Sequence, residues 1–199
     1  MHVVVGLGNP GSIYAASRHN IGFVVVEELA RRWRLVFDAT RPECRVARGM
    51  VAGVPAMLVE PQTYMNLSGL ALAGVEPPAM GSGLIVIHDD LDLELGCVRV
   101  KRGGGTAGHR GVASIIERLG SDFTRVRVGI GHPPCGQDAA AYVLSQFDAG
   151  TQGIVGTMTQ RAADAVECIL RAGEEAAMNI FNVRTSRETL AATTPLGRS

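Results

Sequence analysis

The run Val3-Val4-Val5, and the loop Gly6-Leu7-Gly8-Asn9-Pro10-Gly11 that follows it, limit what this chain can fold into. The apolar run reads as a buried strand. The chain leaves the core at its end and crosses a Gly/Pro-punctuated loop, reaching His19-Asn20 before a helical period begins. A second buried run, Leu84-Ile85-Val86-Ile87, ends in His88-Asp89-Asp90-Leu91-Asp92. Loops at the ends of buried strands are where α/β proteins place their chemistry. The first loop therefore offers His19 as a general base and Asn9 as a polar positioning group.

The same loop matches a dinucleotide fingerprint, Gly6-x-Gly8-x-x-Gly11, with Asp38 at the end of Leu35-Val36-Phe37 as a candidate ribose-binding acid. In that fingerprint the helix starts within the glycine loop, so that its N-terminus faces the pyrophosphate. Here the helical period starts only near Asn20, and Pro10 removes a backbone N–H that a phosphate cradle needs. The spacing counts against a nucleotide-dependent oxidoreductase.

The rest of the chain alternates strands and helices. Asn20 can cap a helix to Trp33 whose apolar stripe is Ile21, Val24, Val25, Leu29 and Trp33. Leu35–Phe37 reads as a short strand, and Cys44–Met50 with Val54–Val59 as a hairpin. Pro61–Asn66 is a loop, followed by a short helix from Leu67 to Val75 that Pro77-Pro78 stop. Cys97–Arg102 and Phe123–Val128 alternate apolar and basic residues, as strands with one wet face do. A glycine-dense segment from Gly103 precedes a helix over Val112–Leu119. Gly129–Gly136 is loop, and Asp148–Arg171 and Glu174–Phe181 are helical. This pattern predicts an α/β fold: one domain over residues 1–184, a twisted mixed sheet covered by helices on both faces, and a polar tail over 185–199. Three polar loops, Asn9–Asn20, Thr63–Asn66 and His88–Asp92, meet on one rim if their strands lie parallel and adjacent.

Composition excludes several classes. No apolar run approaches the ~20 residues of a membrane span, and no signal peptide is visible. Cys44, Cys97, Cys135 and Cys168 are scattered, which suits reduced, packed thiols and a cytoplasmic setting. Net charge is zero, yet Arg99–Arg127 holds seven basic residues against two acidic ones. Such a patch suits a partner gripped through a few phosphates, or else is a solvated arginine-rich face.

A His19–Asp89 pair would fix the imidazole tautomer and stabilise the imidazolium as it forms. No G-x-S-x-G elbow supplies a nucleophile, so water fits that role. Asn9 and Asn66 can donate to a developing oxyanion, although turn and cap roles are equally open to them. The Asp89-Asp90-Asp92 run lacks a calcium-loop pattern and the histidines are too dispersed for a zinc signature, so no metal is expected.

The motifs V-G-L-G-N-P-G-x-x-Y-x-x-S-R-H-N-I-G (Val5–Gly22), P-Q-T-Y-M-N-L-S-G (Pro61–Gly69), H-D-D-L-D-L-x-x-G (His88–Gly96), G-H-R-G-V-x-S-I (Gly108–Ile115) and R-V-R-V-G-I-G-H-P (Arg125–Pro133) resemble bacterial-type peptidyl-tRNA hydrolase over nearly the whole length. The resemblance implies hydrolysis of the ester between a peptide and the 3′ ribose of tRNA, which recycles tRNA. It implies His19 as base, Asp89 as its partner, and Asn9 and Asn66 positioning substrate and water. Tyr14 and Met65 would line the cleft, His109 would bind substrate, and Lys101 and Arg127 would clamp the tRNA 5′-phosphate. It implies no cofactor, a cytoplasmic monomer, and peptidyl-tRNA as partner. One departure stands out: Arg110 occupies the place of the family's usual Asn, and a guanidinium only donates where an amide also accepts. A non-catalytic tRNA- or RNA-binding adaptor on the same fold is the alternative reading.

Overall fold

The computed structural model describes residues 1–75 and 83–183. Among these, β1 (His2–Gly6), β2 (Asp38–Arg41), β3 (Cys44–Val51), β4 (Val54–Pro61), β5 (Leu84–Asp90), β6 (Val98–Arg102) and β7 (Thr124–Gly129) form one sheet in the order β2-β3-β4-β1-β5-β7-β6. The centre, β4-β1-β5-β7, is parallel, and the β2-β3 and β6 margins are antiparallel. Continuous apolar runs go to the middle because helices cover both sides there. On one face, α1 (Ile21–Trp33), α5 (Gln152–Ala172) and α6 (Glu174–Phe181) pack on Val4, Ile85, Ile87, Val100 and Val126. On the other, α3 (Arg110–Leu119) brings Val112 and Ile115 against Val5, Val86 and Phe123. The fold is the mixed α/β sheet expected.

Several elements differ in place. Leu35–Phe37 is irregular, and the strand begins at Asp38. The helix expected from Leu67 is α2 (Ser68–Ala71) between 3-10 turns at Met65–Leu67 and Leu72–Gly74. α3 starts at Arg110, two residues early, because His109 caps it with its side chain. A six-residue helix, α4 (Ala139–Leu144), follows the Asp138 cap and was not expected. The expected Pro77-Pro78 stop and the 185–199 tail lie outside the described residues.

Gly22, which costs helix propensity, is required by packing. A Cβ there would come within 2.4 Å of the Leu7 nitrogen and 2.6 Å of the Ile87 oxygen. α1 therefore lies directly against the ends of β1 and β5, and the loop before it is held over their rim. Ala52 and Gly53, both at positive φ, close the β3–β4 hairpin in two residues. The four cysteines form no disulfide. Cys44 is buried, but Cys135 is exposed rather than packed.

Candidate active site

β1, β4 and β5 are parallel and adjacent, so the three polar loops do meet on one rim. They surround a cleft of about 670 Å³.

His19, the candidate base, sits on a short 3-10 turn, Arg18–Asn20. Arg18 anchors that turn: its guanidinium bonds Ser145 Oγ (2.7 Å) and the Gln146 carbonyl, and lies 4.4 Å over the Tyr142 ring. His19, 8% exposed, points Nδ1 at both Asp89 oxygens, 2.8 and 2.9 Å away. The Nδ1 hydrogen faces the carboxylate, leaving the Nε2 lone pair free to take a proton. Asp89 is buried at the end of β5. Burial works to raise its carboxyl, but the imidazoles of His109 and His19 outweigh this and hold it well below the usual carboxylate range.

Asn20 does not cap α1. Its side chain accepts from the Asn9 N–H and donates to the Asn9 carbonyl, both at 2.9 Å. Asn9 Oδ1 accepts from the Met65 N–H at 2.8 Å, which ties the first loop to the second. With its oxygen committed, Asn9 offers the cleft Nδ2, a donor. The cleft lining includes neither Ser nor Cys, and the Thr106 hydroxyl accepts from the Gly108 N–H.

His19, Asp89 and His109 bring three ligand-type atoms within 4.8 Å of one another, the one such group among the described residues. Sequence spacing gave no hint that these histidines converge. The group does not suit a cation: His109 Nδ1 accepts two backbone N–H groups, so the nitrogen facing Asp89 carries a hydrogen.

Comparison with known proteins gives the family. The peptidyl-tRNA hydrolase family matches residues 3–189. The peptidyl-tRNA hydrolase of Rubrobacter xylanophilus is 50% identical over 184 residues, covering 90% of this chain and 99% of that one. That of Roseiflexus sp. is 46% identical over 188 residues, covering 92% and 86%. A crystal structure of peptidyl-tRNA hydrolase from Acinetobacter baumannii superposes with a TM-score of 0.87 at 33% identity, covering 93% and 96%. This chain belongs to the peptidyl-tRNA hydrolase family.

Against the family's expected site, the structure gathers Asn9, Tyr14, His19, Met65, Asn66, Asp89, His109 and Arg110 around one cleft. Met65 is buried, Tyr14 is half-buried, and Asn66 and Arg110 are exposed. Asn66 makes no cap bond to the helix after it. His109, expected as a substrate contact, has both ring nitrogens taken by the protein.

The basic stretch divides. Arg99 bonds the Phe181 and Val183 carbonyls, Arg102 pairs with Asp122 and Glu174, and Arg127 Nε lies 2.6 Å from the buried Asp90 carboxylate. Arg125 is buried, not on a wet face: it bonds the Gly104 and Gly105 carbonyls and fixes the glycine-rich loop. Lys101, Arg110 and Arg118 are exposed and make no polar contact with a described residue.

His88 was not singled out from sequence. It lines the cleft, bonds the Asp89 carbonyl through Nδ1, and leaves Nε2 without a partner. Burial above all, with the neighbouring His109 ring, pushes it down to about 3. Its place in the apolar run of β5 was the available signal.

Proposed function

We propose that this chain hydrolyses the ester joining a peptide to the 3′ ribose of peptidyl-tRNA, with water activated by His19 and no covalent intermediate. The observation that carries this is the His19 Nδ1–Asp89 contact at 2.8 Å, in a cleft whose lining offers no Ser or Cys nucleophile.

A water beside His19 Nε2 gives up its proton as its oxygen attacks the ester carbon. Asp89 stabilises the imidazolium that forms. Asn9 Nδ2 donates to the developing oxyanion, with Asn66 on the rim as a second amide. The intermediate collapses with loss of the 3′ oxygen, which takes the proton back from His19. The products are a peptide carboxylate and tRNA with a free 3′ hydroxyl. Tyr14 and Met65 border the ester and terminal adenosine. Lys101 and Arg127 hold the 5′-phosphate of the acceptor end, and Arg110 meets substrate at the rim. No step calls for a metal or cofactor. We also propose a cytoplasmic single-domain monomer; no helix among the described residues is long and apolar enough to cross a membrane. The adaptor alternative gains no support, since an adaptor needs no base oriented by a buried carboxylate.

The test is single-turnover release of labelled peptide from N-blocked aminoacyl-tRNA in the presence of chelator. Wild type should release it, and His19→Ala should lose at least ~10²-fold in rate while binding tRNA normally. A mild loss would assign the base elsewhere.

A further inference from the structure

His109 carries two contacts that together fix where its proton sits. Nδ1 accepts from the backbone N–H groups of Gly111 at 3.1 Å and Val112 at 3.2 Å. A nitrogen that accepts has a lone pair, so the hydrogen of the neutral ring is on Nε2. That Nε2 lies 2.9 Å from Asp89 Oδ1. Protonating Nδ1 would break both bonds at the N-terminus of α3, an end that also disfavours positive charge. The helix thus selects the Nε2–H tautomer of the neutral His109 ring.

The oxygen it meets is shared. Asp89 Oδ1 is also 2.8 Å from His19 Nδ1, and the two imidazole rings are 4.8 Å apart. The more donors Asp89 has elsewhere, the less of its charge acts on an imidazolium at His19. We infer that His109 is a positioning residue for the hydrolysis: its Nε2–H, fixed by α3, holds Asp89 Oδ1 in place and tempers the carboxylate's grip on His19, so that the base can return its proton to the leaving ribose oxygen. This rests on the hydrolase reading above.

The other charged and titratable groups around His19 do not duplicate this contact. Asp90 is paired with Arg127, Arg18 is tied to Ser145 and Asp148, and Asp138 caps α4. The Tyr142 hydroxyl donates to the Ile130 carbonyl, and His88 is turned to the Asp89 backbone. Tyr14 and Arg110 border the cleft. None of them bonds the Asp89 carboxylate or the His19 ring.

The cap and the contact to Asp89 can be separated, because Asn caps a helix as well as any residue but has no second arm to reach Asp89. The experiment compares wild type with His109→Asn on N-blocked aminoacyl-tRNA over pH, alongside ¹⁵N resonances of the wild-type imidazoles. The variant should keep its melting temperature and KM, while the acid limb of kcat moves up by about half to one pH unit. In wild type, the neutral His109 ring should show a pyridine-type Nδ1 and a pyrrole-type Nε2. A raised KM with the limb unmoved would make His109 a substrate contact, and no change in either would leave it only a cap; both overturn the inference. Should the variant not fold, an Nδ1–H tautomer in wild type overturns it. Absence of turnover in wild type would instead sink the hydrolase reading, and the tautomer measurement would still stand.

Discussion

The two strands that flank β1 each place a carboxylate at their second-last position: Glu60 on β4 and Asp89 on β5. Both are buried, Glu60 at 0% exposure and Asp89 at 3%. Their states are opposite. Asp89 is one carboxylate shared by two imidazole donors, and it stays ionised. Glu60 is one of two carboxylates sharing a single guanidinium: Arg45 lies 2.6 Å from Glu60 Oε2 and 3.7 Å from Glu27. Glu60 Oε1 has no partner, and burial, with Arg45 only partly countering it, pushes the group up to about 7. Equal burial with unequal donors separates a permanently charged group from one that titrates near neutrality. The cleft side of β1 can hold a charge because two loops bring donors to it. The far side relies on Arg45, the antiparallel partner of Glu60 across the hairpin.

The largest effect expected from this contrast is at Asp89. Asp89→Asn keeps one oxygen for the two imidazole donors but sets an NH2 group against the donating His19 Nδ1, 2.9 Å from the present Oδ2, and removes the charge that stabilises an imidazolium. Turnover should fall by about 10²–10⁴-fold with tRNA affinity retained. A loss below tenfold would mean that the carboxylate does not set the tautomer of His19.

Next is stability at Glu60, where the sign runs opposite to the usual acid. Its folded value, about 7, lies above the ordinary 4.5. Between those values the folded state binds the proton more tightly, so stability falls as pH rises and the full cost is present above pH ~7. That cost is about 3 kcal/mol. Glu60→Gln should remove the slope, leaving the variant more stable than wild type near pH 8 and similar near pH 5 in urea melts. Asp89 slopes the other way: its contribution is present above the ordinary carboxylate range and is lost as pH falls below it. Parallel melts of wild type and Glu60→Gln at all pH would show that Glu60 does not titrate.

The same rule, that a charge's partners decide its use, sorts the two residues of the proposed phosphate clamp. Among the described residues the Lys101 side chain has no polar partner, whereas Arg127 already serves Asp90. Lys101→Ala should raise KM for peptidyl-tRNA and reduce its salt slope by about one contact. Arg127→Ala should reduce the slope less and also destabilise the fold, since it strands the buried Asp90. Equal salt slopes for both variants would erase the distinction.

The sequence made the sheet and the rim legible because both follow from local signals. Unbroken apolar runs marked β1 and β5, two strand-like runs close together marked the hairpin, and an apolar stripe at helical spacing marked α1. Asn9, His19 and Asp89 could be read from loops at strand ends. What stayed hidden depends on neighbours distant in the chain. Alternation put Arg125 on a wet face, but the glycine-rich loop folds over it and takes its two terminal guanidinium nitrogens. Asn20 looked like a cap until the Asn9 backbone came within reach. His109 lies twenty residues from Asp89, and the resemblance placed it at the substrate rather than on that carboxylate. α4 is too short to show a helical period, although Asp138 before it was a readable cap. Glu60 directly follows the run Met57-Leu58-Val59, and no local pattern marked it as buried.

The smallest expected effect tests whether the two sides of β1 are insulated. A cavity of about 290 Å³ beside Glu60 is also lined by Asn9 and Asn20, so a path exists from that carboxylate to the loop that precedes His19. An acid limb of activity near neutrality would have two candidate owners, because imidazoles as a class titrate where Glu60 does. Val5 and Leu7 are fully buried between the two sides, and the Asn9–Asn20 bonds involve no titrating atom. Glu60→Gln should therefore leave the pH–rate profile superimposable on wild type within a few tenths of a pH unit. A limb that moves with Glu60→Gln would show that the far carboxylate reaches the base through the Asn9 loop, and the contrast between the sides would become a coupling.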